Sequence, residues 1–499
     1  MAVTGMLQPL AAGFATALAT PQLLACLIGA LLGTAVGVLP GLGPITTIAL
    51  LLPFIFAVSP TAAVIMLAGI YYGAQYGGSI TAILVNVPGE ASSAITCVDG
   101  HAMARQGRAR FALSVAAISS FVGGTVGTLL VAVAAQPLSR LASYVQAADY
   151  ASLMVFGLVA AVLMGRGAIW KSLLLTVVGV ILGAVGTDVA SGEERWTLGI
   201  PALYDGIGFV PVAIGLFGLA EIIRTLASGR PARLDVLPLS GRAATADERW
   251  RAAAATLRGT ATGAVLGMLP GGGPVLASFA SYGVERAWAR HPHMLGRGAV
   301  EGVAGPEAAN NAAAQTSFVP LLTLGLPSNP AVALLLGALI VHGVQPGPGI
   351  IAQEPTLFWG LVASMWVGNA MLLVLNLPLA SLWARVAQLP YDYLYPATIV
   401  LSCAGAYAVG RNVIDLWIAA VFGVVGWLLR RWRCDPSPLL LGFILSRPLE
   451  ENLGRALAFS AGDATIFLRR PLSAALLGVA AALTLMAVRR PRPLAESEE

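Results

Sequence analysis

The sequence is poor in charge: 11% of its 499 residues are Asp, Glu, Lys or Arg, and Lys171 is the single lysine. Soluble domains carry about 25% charged residues, so the 57% hydrophobic content excludes a soluble globular fold. The net charge of +5 does not indicate a nucleic-acid partner, because the basic residues cluster between apolar segments, where they orient helices. The composition predicts an all-α polytopic membrane protein, in contact with lipid, with about 10 to 12 membrane segments.

Motifs for ATP hydrolysis and for common catalytic centres are missing. The sequence contains no GxxxxGK[ST] phosphate loop, no GxSxG nucleophile elbow and no HExxH metal pair. The four cysteines lie far apart and the four histidines lack metal-ligand spacing, so neither a disulfide framework nor a metal centre is predicted. We therefore expect no cofactor and no catalytic residue, and a membrane-embedded enzyme is the weaker alternative.

Proline and glycine interrupt two long apolar segments. Residues 39–44 read Leu-Pro-Gly-Leu-Gly-Pro, and residues 269–274 read Leu-Pro-Gly-Gly-Gly-Pro. Proline cannot donate the helical hydrogen bond, and glycine is entropically costly in a helix, so we expect the chain to open at both places. Backbone opens at membrane depth only where protein buries it or where it lines a wet cavity.

The two interruptions belong to an internal repeat. Pro40 and Pro270 are 230 residues apart (270 − 40), and the later turn prolines Pro88 and Pro327 are 239 apart (327 − 88). In each half, glycines spaced by four precede the first interruption, a spacing that predicts close helix packing. Paired broken helices in repeated halves are typical of secondary transporters, whose substrate sites lie between the repeats.

Positive charge indicates that the repeats are inverted. The first repeat begins on a side without positive charge and ends at a basic loop, whereas the second begins after a basic linker and ends at an uncharged loop. Basic loops are cytoplasmic, so the two repeats enter the membrane from opposite sides. We predict a first half over residues 1–223, a cytoplasmic linker over 224–258, and a second half with C-terminal spans over 259–499.

Several apolar segments near the interruptions are shorter than the roughly 20 residues of a full span. Residues 61–76 and 79–88 are one such pair, and Gly77-Gly78 is expected to separate them. Half-helices and re-entrant hairpins explain these lengths.

The Pro-Gly turns are predicted to bind an anion. A half-helix that starts after such a turn points free N–H groups and the positive end of its dipole at the cavity, which suits carboxylate oxygens. The predicted substrate contacts are Pro40, Gly41, Gly43, Thr46, Pro88, Gly89, Ser92, Ser93, Pro270, Gly271, Gly273, Pro327, Ser328 and Asn329.

A second polar group is predicted to couple transport to an ion. Glu307, Asn310 and Asn311 stand in an apolar segment, where polar side chains are costly unless they are used, and Gln75 with Ser79 is the expected counterpart in the first half. Their oxygens are hard ligands for Na⁺, and Glu307 is also able to carry H⁺. The alternative is that the asparagines tie the broken backbone together. Two further acids of the first half, Glu90 and Asp99, are interpreted as helix caps.

These motifs resemble the large permease subunit of the tripartite tricarboxylate transporters, the TctA family. The resemblance covers essentially the whole chain, and its most specific stretches are residues 37–44, 72–79, 86–90, 302–311 and 342–348. One departure is Leu-Pro-Ser-Asn at residues 326–329, where the family usually reads Pro-Gly-Ser.

The resemblance implies a multi-pass protein of the bacterial cytoplasmic (inner) membrane that imports di- or tricarboxylates. It implies two partners, a small membrane subunit and a periplasmic solute-binding protein, and coupling to an ion gradient instead of ATP. A channel is the other alternative, because broken helices also build selectivity filters.

Overall fold

The computed structural model of the protein describes residues 4–39, 43–142, 144–164, 168–188, 191–228, 236–239, 241, 244–269, 273–389 and 391–489. Four predicted substrate contacts, Pro40, Gly41, Pro270 and Gly271, lie outside these residues. The described chain is helical almost throughout, which confirms the predicted all-α class. Its strands form one short antiparallel ribbon, in which β1 (Gly186–Thr187) pairs with β2 (Glu194–Arg195).

The α-helices of the first part of the chain are α1 (Thr4–Ala17), α2 (Thr20–Val38), α3 (Pro44–Leu51), α4 (Pro60–Val85), α5 (Ala94–Thr96), α6 (Ala109–Ala142), α7 (Ala147–Met164), α8 (Ile169–Gly183), α9 (Phe209–Ala213) and α10 (Ala220–Ser228). Those that follow are α11 (Ala246–Gly267), α12 (Gly273–Trp288), α13 (Glu301–Thr316), α14 (Phe318–Leu324), α15 (Pro330–Val341), α16 (Ile350–Gln353), α17 (Pro355–Asn376) and α18 (Ala380–Val386). The last are α19 (Tyr391–Gly410), α20 (Val413–Arg431), α21 (Ser437–Phe459), α22 (Ile466–Arg469) and α23 (Pro471–Arg489).

Tighter and wider helical turns join these elements. The 3₁₀ turns are Leu52–Ala57, Ala91–Ser93, Pro201–Leu203 and Pro292–Met294, and the π-helical turns are Cys97–His101, Ala104–Arg108 and Ile214–Leu219.

Length and composition identify five described helices that are able to cross a membrane: Thr20–Val38, Ala104–Ala135, Phe209–Ala227, Pro355–Asn376 and Val413–Arg431. Shorter apolar helices accompany them, such as Pro44–Ala57 and Pro330–Val341. The protein is therefore a multi-pass membrane protein, as predicted.

Contacts divide the chain into two compact units. Unit 1 consists of Met1–Ser139 and Ser228–Ala397, and unit 2 of Arg140–Ala227 and Thr398–Glu499. Each unit draws on both predicted sequence halves, and the boundaries proposed for those halves stay a prediction. All the predicted site residues that the structure describes belong to unit 1.

The helices end where proline and glycine predict. Helix α2 ends at Val38 and α3 begins at Pro44, while α11 ends at Gly267 and α12 begins at Gly273. Proline is favoured in the first turn of a helix because the N–H it lacks has no partner there. Local chemistry alone thus accounts for both openings.

The predicted separation at Gly77-Gly78 is wrong, because α4 runs without interruption from Pro60 to Val85. A side chain at Gly77 would lie 3.0 Å from Gly37 Cα, and one at Gly78 would lie 3.2 Å from Glu90 N. These glycines allow close approach of neighbouring backbone, while the helix satisfies its own hydrogen bonds in an apolar setting.

The glycines spaced by four do pack helices, and they do so twice. An added Cβ on Gly33 of α2 would meet the carbonyl oxygen of Ile70 on α4, and one on Gly263 of α11 would meet that of Ala309 on α13. The glycines are 230 residues apart (263 − 33) and their partners are 239 apart (309 − 70). Gly29 and Gly37 repeat the pattern at the same offsets with their counterparts in α11.

Two buried ion pairs hold the start of the second repeat together. Arg258 of α11 donates to both carboxylate oxygens of Glu285 on α12, at 3.0 and 2.6 Å. Arg251 donates to both oxygens of Glu301 on α13, at 2.7 Å each. Two arginines of the predicted linker therefore belong to a helix and are paired.

Unit 2 is built around α21, which packs against α7 and α8. An added Cβ on Gly179 of α8 would lie 2.9 Å from Phe443 N, so these two helices are in backbone contact. Asp149 of α7, which is buried, accepts from Arg470 Nε at 2.9 Å.

Candidate functional site

A buried carboxylate stands at the centre of unit 1. Glu307 of α13 is 1% exposed. Its carboxylate oxygens accept hydrogen bonds from hydroxyl groups on three other helices. The donors are Ser79 Oγ of α4 at 2.7 Å, Thr96 Oγ1 of α5 at 2.6 Å and Ser120 Oγ of α6 at 3.2 Å. No ion pair reaches Glu307 within the described ranges, so neutral donors alone satisfy it. A carboxylate held this way retains an uncompensated charge that a cation or a proton is able to neutralise.

Gln75 joins this centre to the turn after α4. Ser92 Oγ lies 2.7 Å from Gln75 Oε1 and 2.9 Å from Glu90 Oε2, so one hydroxyl links an amide and an acid. Gln75 is fully buried, and its side chain interacts with both Ser92 and the Glu90 carboxylate.

The two asparagines next to Glu307 differ in their contacts. Asn311 Nδ2 donates to the backbone carbonyl of Glu307, one turn earlier in the same continuous helix, at 3.1 Å. Asn310 is 1% exposed, and both its Oδ1 and its Nδ2 lack partners in the part of the chain that the structure describes. An unpartnered buried amide is costly, so Asn310 is the better candidate for contact with an ion or a substrate.

Two turns have the same geometry in the two repeats. Asn86 after α4 and Gly325 after α14 both adopt left-handed backbone, with φ of 59° and 66°. They are 239 residues apart (325 − 86). Four residues later, Glu90 and Asn329 both occupy extended N-cap positions, with φ of −139° and −158°. The repeat predicted from the prolines is thus present in the backbone of unit 1.

Each repeat places its turn against the other repeat. Helix α3 of the first packs against α15 of the second, and α12 of the second packs against the Ala91–Ser93 turn of the first. Asn329 Nδ2 donates to Tyr71 on α4 at 2.8 Å. Reciprocal contacts of this kind are what a two-fold relation between the repeats produces.

The offset of 239 also shows how the repeats differ. By this offset, Asn310 and Asn311 of α13 are equivalent to Tyr71 and Tyr72 of α4. The sequence had instead suggested the Gln75 group as their counterpart. Tyr71 and Tyr72 are fully buried aromatic residues. At equivalent positions the first repeat therefore has phenols and the second has amides, so the repeats differ in chemistry although their scaffold is repeated.

Comparison with known families decides the identity of this architecture. A family model described as the tripartite tricarboxylate transporter TctA family matches residues 23–441. The chain belongs to the TctA family. Membership makes it the permease component of a tricarboxylate transporter, which is consistent with a role in transport and not in catalysis.

One relative of this TctA permease spans nearly its whole length, and a second covers less than half of it. It is 50% identical over 483 residues to an uncharacterized 52.8 kDa protein in the TAR-I ttuC′ 3′ region of Agrobacterium vitis, covering 97% of this chain and 96% of the relative. It is 52% identical over 226 residues to an uncharacterized protein in the TAR-II ttuC′ 3′ region of the same organism, covering 45% and 93%. No solved structure matches the chain.

The other predicted substrate contacts of the permease lie at or beside the turns. Gly43 precedes α3, and an added side chain there would meet no atom within 4 Å, whereas Thr46 is buried on α3. Gly89 is in tight contact with the Gly37 carbonyl and with Thr81, so its lack of a side chain is required for packing. Gly273 has a φ of +54°. A Cβ added to it would lie 3.3 Å from Asn329 Cβ.

The hydroxyls of the first turn are already used inside the permease. Ser93 Oγ donates to the carbonyl of Glu90 at 2.8 Å, and Ser92 bridges Gln75 and Glu90. In the second turn, Ser328 is buried and receives a weak hydrogen bond from Asn329 at 3.3 Å.

Sequence reasoning missed three polar residues of this centre: Thr96, Ser120 and Asn376. Thr96 and Ser120 donate to Glu307, and Asn376 is a buried amide near the end of α17. No motif connects them in the sequence, and the available signal was that polar side chains inside a membrane segment are usually functional.

Asp99 caps a loop and not, as predicted, a helix, because it lies within the Cys97–His101 turn and binds N–H groups that precede the N-cap of α13. This buried carboxylate accepts the backbone N–H groups of Gly298 and Ala299, each at 2.8 Å, directly before α13. It also accepts from the Gly296 N–H at 2.9 Å and from the Tyr282 hydroxyl at 2.9 Å. One side chain therefore connects the Cys97–His101 turn to the loop that positions Glu307.

Replacing Asp99 with asparagine is expected to destabilise the permease by about 2–4 kcal/mol, because an amide donor would face several N–H donors and the charge that they stabilise would be lost. Thermal unfolding of the purified protein in detergent measures the effect. The control is Asp247→Asn, which removes a carboxylate whose ion pairs are exposed and is expected to cost less than about 1 kcal/mol. Equal losses in the two variants would contradict the capping role.

Proposed function

We propose that this permease imports a di- or tricarboxylate across the cytoplasmic membrane of a bacterium and couples import to a gradient of Na⁺ or H⁺. Its partners in this proposal are a small membrane subunit and a periplasmic solute-binding protein that delivers the substrate. Family membership supports the transport role, and the geometry of unit 1 supports the coupling.

The observation that carries the proposal is the pairing of two reciprocal turns with one buried, hydroxyl-bound carboxylate. The turns at Glu90 and Asn329 come from different repeats and lie against the helices of the other repeat. Glu307 lies between α4, α5 and α6, within the same unit. Movement of one repeat against the other would change both the turns and the environment of Glu307 together.

Electrostatics links substrate and ion in this arrangement. The substrate is an anion, yet the centre contains the half-buried acid Glu90 and the buried acid Glu307. Bringing a carboxylate toward two further carboxylates in a low-dielectric interior is strongly unfavourable. A cation or proton taken up with the substrate removes that cost, so the acids themselves favour coupled import over uncoupled passage.

Replacing Asn329 with leucine is expected to reduce carboxylate uptake by about tenfold or more. The substitution removes the hydrogen bond to Tyr71 and the N-cap bond to Val332 N, so the second turn loses its position against the first repeat. Uptake of labelled citrate, tartrate and other carboxylates into proteoliposomes, with the two partner proteins present, measures the effect.

The matched control is Asn412→Leu in unit 2. Asn412 is also an N-cap asparagine, and its Oδ1 accepts from Ile414 N at 3.0 Å. Both substitutions cost about 1 kcal/mol of helix stability, but the control is expected to transport normally. Uptake that does not saturate, or that needs no ion gradient, would refute the proposed carrier.

A further inference from the structure

A small polar cavity lies beside Glu307, between α4, α6 and α17. Its polar lining consists of Tyr76, Ser79, Ser120 and Asn376, and the rest of its wall is apolar. Its volume of about 10 Å³ is the space of a single water molecule or of one small ion. It is therefore far too small for a carboxylate substrate.

The hydroxyl oxygens of Ser79 and Ser120 are oriented so that they are able to bind a cation. Ser79 Oγ and Ser120 Oγ both donate to the same atom, Glu307 Oε2, at 2.7 and 3.2 Å. A hydroxyl has one hydrogen and two lone pairs. Once the hydrogen is directed at the carboxylate, only lone pairs remain for the cavity, and the nearby negative charge increases their affinity for a cation.

Asn376 supplies an oxygen that is unused within the described part of the chain. Its Nδ2 donates to the Leu372 carbonyl at 2.8 Å, and its buried Oδ1 has no hydrogen-bond partner. The fourth polar residue, Tyr76, lines the cavity, but its hydroxyl donates to Asn369 at 2.6 Å, about two helical turns away from Asn376 on α17. Ser79, Ser120 and Asn376 thus present acceptors to the cavity.

We propose that this cavity is a Na⁺ site, with Ser79, Ser120 and Asn376 as neutral oxygen ligands and Glu307 as the balancing charge. Neutral oxygens with one carboxylate suit a hard monovalent cation, and the small volume favours Na⁺ over the larger K⁺. The inference rests on the proposed ion-coupled function and assigns its ion to Na⁺, at a position different from the Asn310 group.

Direct binding tests the site without transport. The purified full-length permease in detergent is titrated with ²²Na⁺ against a background of K⁺ or N-methylglucamine, and its Na⁺-dependent rise in Tm is followed. We expect Ser120→Ala and Asn376→Ala each to weaken Na⁺ binding by about tenfold or more. The matched control is Ser119→Ala, because Ser119 is an equally buried neighbour on α6 that bonds to Thr256 instead.

The outcomes separate this inference from the proposed function. Saturable Na⁺ binding that both variants weaken and the control retains supports the site. Absence of Na⁺ binding in the wild type, or equal binding by all the variants, overturns it and leaves a cavity filled by water. Carboxylate uptake driven by H⁺ alone, without Na⁺ binding, overturns the site but not the import function, whereas Na⁺ binding without carboxylate uptake sustains the site and refutes that function.

Discussion

Replacing Glu307 with glutamine is expected to lower the initial rate of carboxylate uptake by about a hundredfold or more. The substitution removes the charge and turns one acceptor into a donor that faces the hydroxyls of Thr96 or of Ser79 and Ser120. Hydrogen bonds to a charged group contribute about 1.5–3 kcal/mol each, and about 1.4 kcal/mol corresponds to a factor of ten in rate. Proteoliposome uptake against a range of Na⁺ and H⁺ gradients measures both the rate and its ion dependence.

The matched control is Glu354→Gln. Glu354 is an exposed glutamate that precedes α17, so its neutralisation is expected to change uptake less than about twofold. If Glu307→Gln keeps the wild-type ion requirement, Glu307 is not part of the coupling mechanism. Size-exclusion profiles of both variants establish that the permease is folded when uptake is compared.

Replacing Gly263 with alanine is expected to destabilise the permease although it adds only one methyl group. The added Cβ would lie 2.6 Å from Ala309 Cα and would also overlap the Ala309 carbonyl, and both belong to backbone that cannot rotate away. Helices α11 and α13 would have to separate, at a cost of about 1–3 kcal/mol or more. We expect the apparent Tm to fall by roughly 1–4 °C, measured by thermal unfolding in detergent.

Gly283→Ala provides the opposite expectation. Gly283 is exposed on α12, and an added Cβ would meet no atom within 4 Å. Alanine favours the helix over glycine by about 0.5–1 kcal/mol, so this variant is expected to be as stable as the wild type or slightly more stable. A comparable loss of Tm in both variants would mean that the contact between Gly263 and Ala309 does not hold the helices together.

The distribution of contacts within unit 1 bears on how the permease would move. Helix α2 packs along α4, and α11 packs along α13, through glycines that bring backbones together. Contact between α4 and α13 is much less extensive, and polar bonds such as that of Ser79 to Glu307 connect them. Two stiff hairpins joined by a small polar contact area suit a mechanism in which one repeat moves against the other.

The sequence by itself determined the class of the protein, the places where helices open and the existence of a repeat. These features follow from local chemistry: low charge requires an apolar setting, and proline with glycine ends α2 and α11 whatever surrounds them. The spacing of glycines by four likewise predicted close packing, because residues four apart lie on one face of a helix. Glu307 was found for a similar reason, since an acid in an apolar segment is costly unless it is used.

Only the tertiary structure decided how these parts come together. Gly77-Gly78 reads locally as an interruption, but the backbones of Gly37 and Glu90 approach it, and the helix continues. Gln75 was expected to be the counterpart of Asn310 in the first repeat. The helix contacts instead relate the repeats by an offset that makes Tyr71 the equivalent residue. The hydroxyls that surround Glu307 come from α4, α5 and α6, and the amide that completes the neighbouring cavity comes from α17. Single polar residues in separate helices carry no shared pattern, because packing between helices that are distant in sequence is what brings them to one place.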